Sequence, residues 1–328
     1  MKTFWRIIGS LAALLIVAVI AGIIYFSMTF PKVGPAADMK ISATPEMLAR
    51  GEYLFNHVAI CVDCHSTRDI THYAMPVLPE THGKGGEDFA PFLKINGTLQ
   101  AANITPAGIK DWTDGEVMRA VTEGVTKDGK ALFPIMPYPN YGMLDRNDME
   151  AIIAYTRTLA PIEHQIAESK LPFPLNIIVK TIPGPANFQP RPDTTDLVAH
   201  GKYLVTMASC GECHTVRVKG EVVPGTEFAG GMEFELPFGT VRAMNITPDS
   251  VTGIGSWTKE EFIDKFKMYS PVDYVSPEVG EKGANTIMPW IQYAGMSEYD
   301  LGAIYTYLRT LKPVRNQVER ITLNPMNM

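Results

Sequence analysis

Cys61-Val62-Asp63-Cys64-His65 and Cys210-Gly211-Glu212-Cys213-His214 are two copies of the pattern C-x-x-C-H. That pattern is the attachment signature of c-type haem, and the two copies use all four cysteines of the 328-residue chain. With four Cys and seven His, chance supplies such a pattern on the order of a thousandth of a time per chain. Two disulfides, a thioredoxin-like redox pair and half of a zinc site are the other uses of C-x-x-C. The His that follows at once in both copies argues against all three.

The cysteine sulfurs of such a motif add to the haem vinyl groups, and the adjacent His becomes the proximal iron ligand. Cys61, Cys64, Cys210 and Cys213 are therefore the attachment residues, His65 and His214 the proximal ligands, and two covalently bound haem c groups are expected. A Met in the sixth position raises the reduction potential and suits electron transfer. The chain has 17 Met, and a lone Met is ordinarily core. Ile135-Met136-Pro137-Tyr138 and Ile287-Met288-Pro289-Trp290 repeat one context, which singles out Met136 and Met288. Met143 and Met296 are the rivals; both read as staple residues before a helix N-cap. His57, His72, His82, His164 and His200 do not recur at matched positions and read as surface or loop histidines.

The repeat extends well beyond the motifs. Glu46–Leu54 matches Asp196–Leu204, each a helix running into its C-x-x-C-H, the first opened by Thr44-Pro45. Gly97–Pro106, with Asn103-Ile104-Thr105-Pro106, matches Gly239–Pro248, with Asn245-Ile246-Thr247-Pro248. Gly108–Thr113 matches Gly253–Thr258, and Thr113/Glu116 and Thr258/Glu261 are capping boxes that start helices. Ala151–Leu159 matches Ala303–Leu311, with Asp145 and Ser297 as N-caps. Strands are scarce in this reading.

Three further pairs are candidates for the surroundings of the haems. Trp112 and Trp257 carry an indole N–H that needs a partner when buried, a propionate or a core carbonyl. Arg68 and Arg217 fall three residues after the haem His; they pair with a propionate or lie in solvent. Asn103 and Asn245 read more as loop-orienting than as binding residues.

Ile7–Phe26 is an apolar run without a charge, long enough to cross a bilayer. Lys2 and Arg6 precede it and put the N-terminus in the cytoplasm. The run is longer than a signal-peptide core and ends at a poor cleavage site, so it reads as an uncleaved anchor. The remainder is exported to the periplasm. Pro161–Asp193 holds seven prolines and reads as a semi-rigid linker, whose apolar Leu175–Val179 is expected to pack on a domain. At 46% hydrophobic and 20% charged, with net charge −6, the chain is ordinary globular protein with no basic footprint for nucleic acid.

With these residues in hand, both copies resemble class I cytochrome c domains. The stretch from Gly230-Gly231 through Asn245–Pro248, Gly253–Thr258 and Met288-Pro289 closely resembles the cytochrome subunits of membrane-bound bacterial alcohol and gluconate dehydrogenases. Those subunits usually carry three such domains and are often anchored near the C-terminus; this sequence shows two copies and an N-terminal apolar run. The resemblance implies His/Met ligation by His65 with Met136 and His214 with Met288. It also implies electron transfer from a quinoprotein or flavoprotein partner toward quinone or an oxidase.

The expected fold is all-α: two tandem class I cytochrome c domains with long loops behind one transmembrane helix. The divisions are an anchor (1–28), a linker (29–44), domain 1 (45–160), a Pro-rich linker (161–195), domain 2 (196–315) and a tail (316–328). The loops His72–Ala90 and Pro271–Thr286 are expected to be surface decoration, with the shaping of partner docking as the alternative. The expected function is a dihaem electron carrier of the cytoplasmic membrane, with a dehydrogenase, an oxidase or a soluble cytochrome as redox partners and no small-molecule substrate. A haem enzyme such as a dihaem peroxidase or thiosulfate dehydrogenase is the alternative; it needs an open or unusual sixth position, and the matched Met-Pro contexts speak against that.

Overall fold

The structure is a computed structural model that describes residues 1–270, 272, 274–281 and 283–324. It opens with α1 (Lys2–Thr29), whose residues are all unburied and which is long and apolar enough to cross a membrane. The first half then contains α2 (Pro45–Tyr53), α3 (Cys61–Cys64), α4 (Pro106–Ile109), α5 (Asp114–Glu123), α6 (Tyr138–Tyr141) and α7 (Arg146–Thr156). A short α8 (Leu175–Ile178) lies in the Pro-rich stretch. The second half repeats the pattern with α9 (Leu197–Met207), α10 (Cys210–His214), α11 (Lys259–Lys267), α12 (Trp290–Ala294) and α13 (Glu298–Leu308).

Caps fix these boundaries as the sequence predicts. Thr44 caps α2, both capping boxes form at α5 and α11, and Asp145 and Ser297 cap α7 and α13. In each half the helix before the haem motif packs on the last helix. The crossing is close because a glycine faces a carbonyl. An added Cβ would lie 2.0 Å from the Ala151 oxygen at Gly51 and 2.0 Å from the Ala303 oxygen at Gly201.

The halves are not independent. One apolar core runs through both, from Leu54, Phe55 and Ile153 to Leu204, Met207 and Leu301. Across it the tyrosines exchange bonds reciprocally. Tyr53 donates to Asp300 at 2.5 Å, and its counterpart Tyr203 donates to Asp148, the counterpart of Asp300, at 2.7 Å. Each carboxylate is also held from its own half. Arg50 makes a two-pronged bond to Asp148 at 3.0 and 2.8 Å, and His200 bonds Asp300 at 2.7 Å. His200 is thus a buried structural residue at the position of Arg50, not a surface histidine, and His57 also points inward, to the Gln292 carbonyl.

Two further expectations are corrected. The loops are clasps rather than decoration. Asn285 is buried and accepts from the Ala74 amide while donating to the Ile70 and His72 carbonyls; Ser276 bonds the Tyr73 carbonyl and Val279 N–H the Thr71 carbonyl. Positions 271, 273 and 282 of that loop lie outside the described residues. The fold is also mostly helical rather than all-α. β1 (Arg217–Val218) pairs with β2 (Glu221–Val222), and β3 (Glu233–Leu236) and β4 (Gly239–Arg242) form an antiparallel sheet with β5 (Ile321–Leu323). The stretch read as a tail therefore supplies an edge strand.

The Pro-rich stretch is a strap on the first half. Lys170 bridges to Thr98, and the amides of Ala186, Asn187 and Gln189 bond Glu123, Gly142 and Leu144. Of Leu175–Val179 only Val179 is buried; Ile177 and Ile178 stay exposed, against expectation.

Candidate haem sites

The approach to each motif is built the same way. The helix before it ends at Ala59 or Ala208, whose carbonyl accepts from Tyr141 or Tyr293 at 3.3 and 2.8 Å. The next residue, Ile60 or Ser209, is left-handed, with φ of 46° and 54°. A non-glycine residue there is strained, most of all a β-branched one, and such strain clusters at functional sites. It turns the chain so that the short Cys helix starts on a new axis.

His65 and His214 are fixed by their Nδ1 atoms. Nδ1 of His65 lies 2.8 Å from the Ala102 carbonyl and that of His214 lies 2.6 Å from the Met244 carbonyl. A carbonyl only accepts, so Nδ1 carries the hydrogen. Burial lowers both imidazole pKa values, against the carbonyl bond that raises them. The neutral ring therefore keeps its lone pair on Nε2, the arrangement a metal-ligating His requires. The acceptor segments are seated on two glycines, of which the sequence reading missed the one in the first half. Gly85 and Gly230 are both left-handed, donate to the His65 and His214 carbonyls at 2.8 Å, and sit where a Cβ would strike Ala102 or Ala243. The Gly-Gly pairs at 85–86 and 230–231 were the available signal.

Met136 and Met288 occupy matched half-buried turns, each carbonyl accepting from the residue two positions on, Tyr138 and Trp290. The rivals are elsewhere. Met296 is 1% exposed and belongs to the core, where it serves as the staple before α13. Met143 is 50% exposed; in the first half Leu144, at 2%, takes the staple position instead.

Arg68 and Arg217 are neither free in solvent nor fully used. Arg68 pairs with Glu87 at 2.9 Å and Asp63 at 3.6 Å; Arg217 pairs with Glu212 at 3.0 Å. In both the Nε is buried with no hydrogen-bond partner among the described residues. A matched pair of orphaned guanidinium donors fits an anionic group such as a haem propionate. The Tyr138 hydroxyl, also buried and unpartnered, is a further donor that the sequence did not flag.

Asn103 and Asn245 are spent on the backbone. Each accepts from the N–H and hydroxyl of Thr105 or Thr247, and donates to the Ile162 or Val314 carbonyl at 2.8 Å. They tie the segment after the last helix to the haem loop. Trp112 and Trp257 are half-buried against the core, their carbonyls held by Arg157 at 2.6 Å and Tyr305 at 2.6 Å.

The first half also reaches the second motif: the Asn140 side-chain amide donates to the hydroxyl of Ser209, the residue before Cys210, at 3.3 Å. Burial pushes the Cys64 thiol up to about 12, and Cys213 of the other half is among the charges acting on it. Burial likewise raises Tyr293 well above its ordinary value, with Tyr141 and Asp63 of the first half contributing. A cleft of about 340 Å³ beside Arg217 and Gly231 is closed on its far side by Phe92–Lys94 of the first half.

Residues 198–312 match the cytochrome c family. The chain is 30% identical over 311 residues to the cytochrome c subunit of the quinone-dependent alcohol dehydrogenase of Gluconacetobacter polyoxogenes, covering 89% of this chain and 62% of that protein. It is 30% identical over 288 residues to the gluconate 2-dehydrogenase cytochrome c subunit of Pantoea cypripedii, covering 82% and 60%. A diheme cytochrome c-type protein of Cereibacter sphaeroides is 27% identical over 322 residues, 93% of this chain and 99% of its own length. The chain thus spans about three fifths of the dehydrogenase subunits it matches. The second half is a cytochrome c domain, which implies covalent haem c, and the chain as a whole resembles the cytochrome c subunits of alcohol and gluconate dehydrogenases and a diheme c-type cytochrome.

Proposed function

We propose that this chain carries electrons through two haem c groups, one in each half, as tandem cytochrome c domains held to the cytoplasmic membrane by α1 with the body in the periplasm. His65 with Met136 and His214 with Met288 ligate the irons. The haem, when bound, supplies the one-electron couple. The chain supplies the rest. Ala102 and Met244 orient the imidazoles, Arg68 and Arg217 offer their free Nε donors to the propionates, and the shared core holds the two centres at a set separation.

The observation that carries this reading is the reciprocal pairing of Tyr53 with Asp300 and of Tyr203 with Asp148. Matched residues of two like halves meet across one core, and Asn140 of the first half bonds Ser209, next to the second C-x-x-C-H motif. That is an arrangement for passing electrons between equivalent centres, and it leaves the sixth position the same in both. The donor is a dehydrogenase, as the names of the relatives suggest, met at the membrane or in the periplasm where α1 holds the chain; the acceptor is quinone, an oxidase or a soluble cytochrome.

Haem content per chain, with the near-infrared band of ferric Met-ligated haem integrated per iron, tests the proposal. Two haems, both Met-ligated, are expected. One haem, or one iron without Met, would overturn it in favour of a haem enzyme.

A further inference from the structure

Four large apolar side chains between residues 173 and 182 are left in solvent. Phe173 is 83% exposed, Ile178 49%, Ile177 40% and Ile182 39%. Ile177 and Ile178 lie in α8, Phe173 precedes it and Ile182 follows the next 3-10 turn (Val179–Thr181), and Val179, 5% exposed, turns inward and fastens the segment. Exposed Lys180 stands among them. A short element with large apolar groups outside, one buried holdfast and a cation beside them has the character of an interfacial membrane contact.

The position of the segment says which surface covers it. After α1 ends at Thr29, the chain reaches Gly34, whose carbonyl accepts from Arg119 of α5. Four residues after Ile182, the Ala186 amide donates to Glu123 of the same helix at 3.0 Å. Arg119 and Glu123 are one turn apart, about 6 Å along the axis. The exit of the apolar helix and the end of the exposed apolar segment are therefore pinned to the same turn of α5. Each tether is only a few residues long at about 3.5 Å per residue.

Resting on the reading of α1 as a membrane anchor, we infer that Phe173, Ile177, Ile178 and Ile182 form a second contact with the lipid surface that α1 enters. This contact sets the orientation of the first half on the bilayer. Between α1 and the Gly34 tether only residues 30–33 are left, and one anchor lets the body swivel on them; a second, lying in the interface, fixes which face is presented to a partner.

The test uses the full haem-loaded chain reconstituted into phosphatidylcholine–phosphatidylglycerol vesicles. A nitroxide is placed singly at Ile178→Cys or Phe173→Cys, with Ile16→Cys in α1 and Val251→Cys, on an exposed site of the second half, as references. The native cysteines are taken up by haem, so each label is unique. Collision with oxygen, which partitions into lipid, is compared with collision with a polar nickel chelate. The labels at 173 and 178 are expected to show the oxygen preference of position 16, several-fold above that of position 251. If they match position 251 while position 16 is in lipid, the second contact is overturned and the anchor stands. If they are shielded from both reagents, a protein covers the segment and the proposal is again overturned. If position 16 itself favours the chelate, the anchor reading fails and this inference falls with it.

Discussion

The hydroxyl of Tyr203 donates to the Asp148 carboxylate at 2.7 Å from the opposite half of the chain, and it also accepts from the Asp145 amide at 3.4 Å. Asp148 is 2% exposed. Removing one partner from a buried charged hydrogen bond costs about 1–3 kcal/mol. Tyr203→Phe is expected to lower stability by that amount, read as a fall in Tm. A double-mutant cycle with Asp148→Asn should give a coupling of about 0.5–3 kcal/mol. Strict additivity would show that the contact does not join the halves.

The same carboxylate predicts an acid transition. Burial pushes the Asp148 pKa up, but the Arg50 hydrogen bond and charge, the Tyr203 hydroxyl and Arg191 outweigh it, and the folded value lies below the ordinary one. A lowered folded pKa contributes stability that is present above the unfolded value of about 3.9 and is lost as pH falls through the folded value. The Tm difference between the native chain and Asp148→Asn should therefore be full at neutral pH and shrink below about pH 4. A difference that stays constant down to pH 2–3 would contradict the ion pair.

Gly51 and Gly201 should tolerate no side chain. An added Cβ meets backbone oxygen at 2.0 Å in both, and the helices cannot cross without moving apart. Overpacking of this kind costs about 1–3 kcal/mol or more. Gly51→Ala and Gly201→Ala are expected to lower Tm by several degrees, whereas Gly184→Ala, with nothing within 4 Å, should change it little. Equal effects at all three positions would remove the close crossing as the cause.

The repeated motifs made the helical frame and the caps legible, because each depends on residues near in sequence. What escaped was set by contacts distant in sequence. Tyr53 and Asp300 lie 247 residues apart, and nothing local marks either as an interface residue. His200 carries no sign of burial until Asp300 is seen beside it. One local signal was present and unread. Gly51 to Cys61 is one residue longer than Gly201 to Cys210, and the structure absorbs the extra residue as a π-turn over Leu54–Val58. There the Ala59 amide bonds the Leu54 carbonyl, five residues back, where Ala208 bonds Leu204, four back. The asymmetry leaves both cysteine helices in matched positions.

Met136→Ala and Met288→Ala should each lower the potential of one centre. A Met ligand raises the potential, and axial ligands as a class span about 0.8 V. A fall of roughly 0.1 V or more is expected in one of two titration waves, with loss of half the near-infrared band. Met143→Ala and Met296→Ala should leave both waves in place, although the buried Met296 will cost stability. A retained band in Met136→Ala would strike that residue from the ligand set.

Asn285 is the clasp between the two long loops, and its loss should be felt in the other half. Its side chain accepts from the Ala74 amide at 2.9 Å and donates to the His72 and Ile70 carbonyls at 2.9 and 3.2 Å. At 2% exposure, Asn285 has little water to replace it. Each group left unpaired costs about 1–3 kcal/mol. The loss is local, because the helices carry their own bonds. Asn285→Ala is therefore expected to speed hydrogen exchange at Ala74 and along residues 69–78, more than 200 positions from the substitution, while amides of α2 and α7 keep their protection. If Ala74 exchanges at its native rate, its amide has another acceptor. The halves would then be joined by the core and the tyrosine pairs alone.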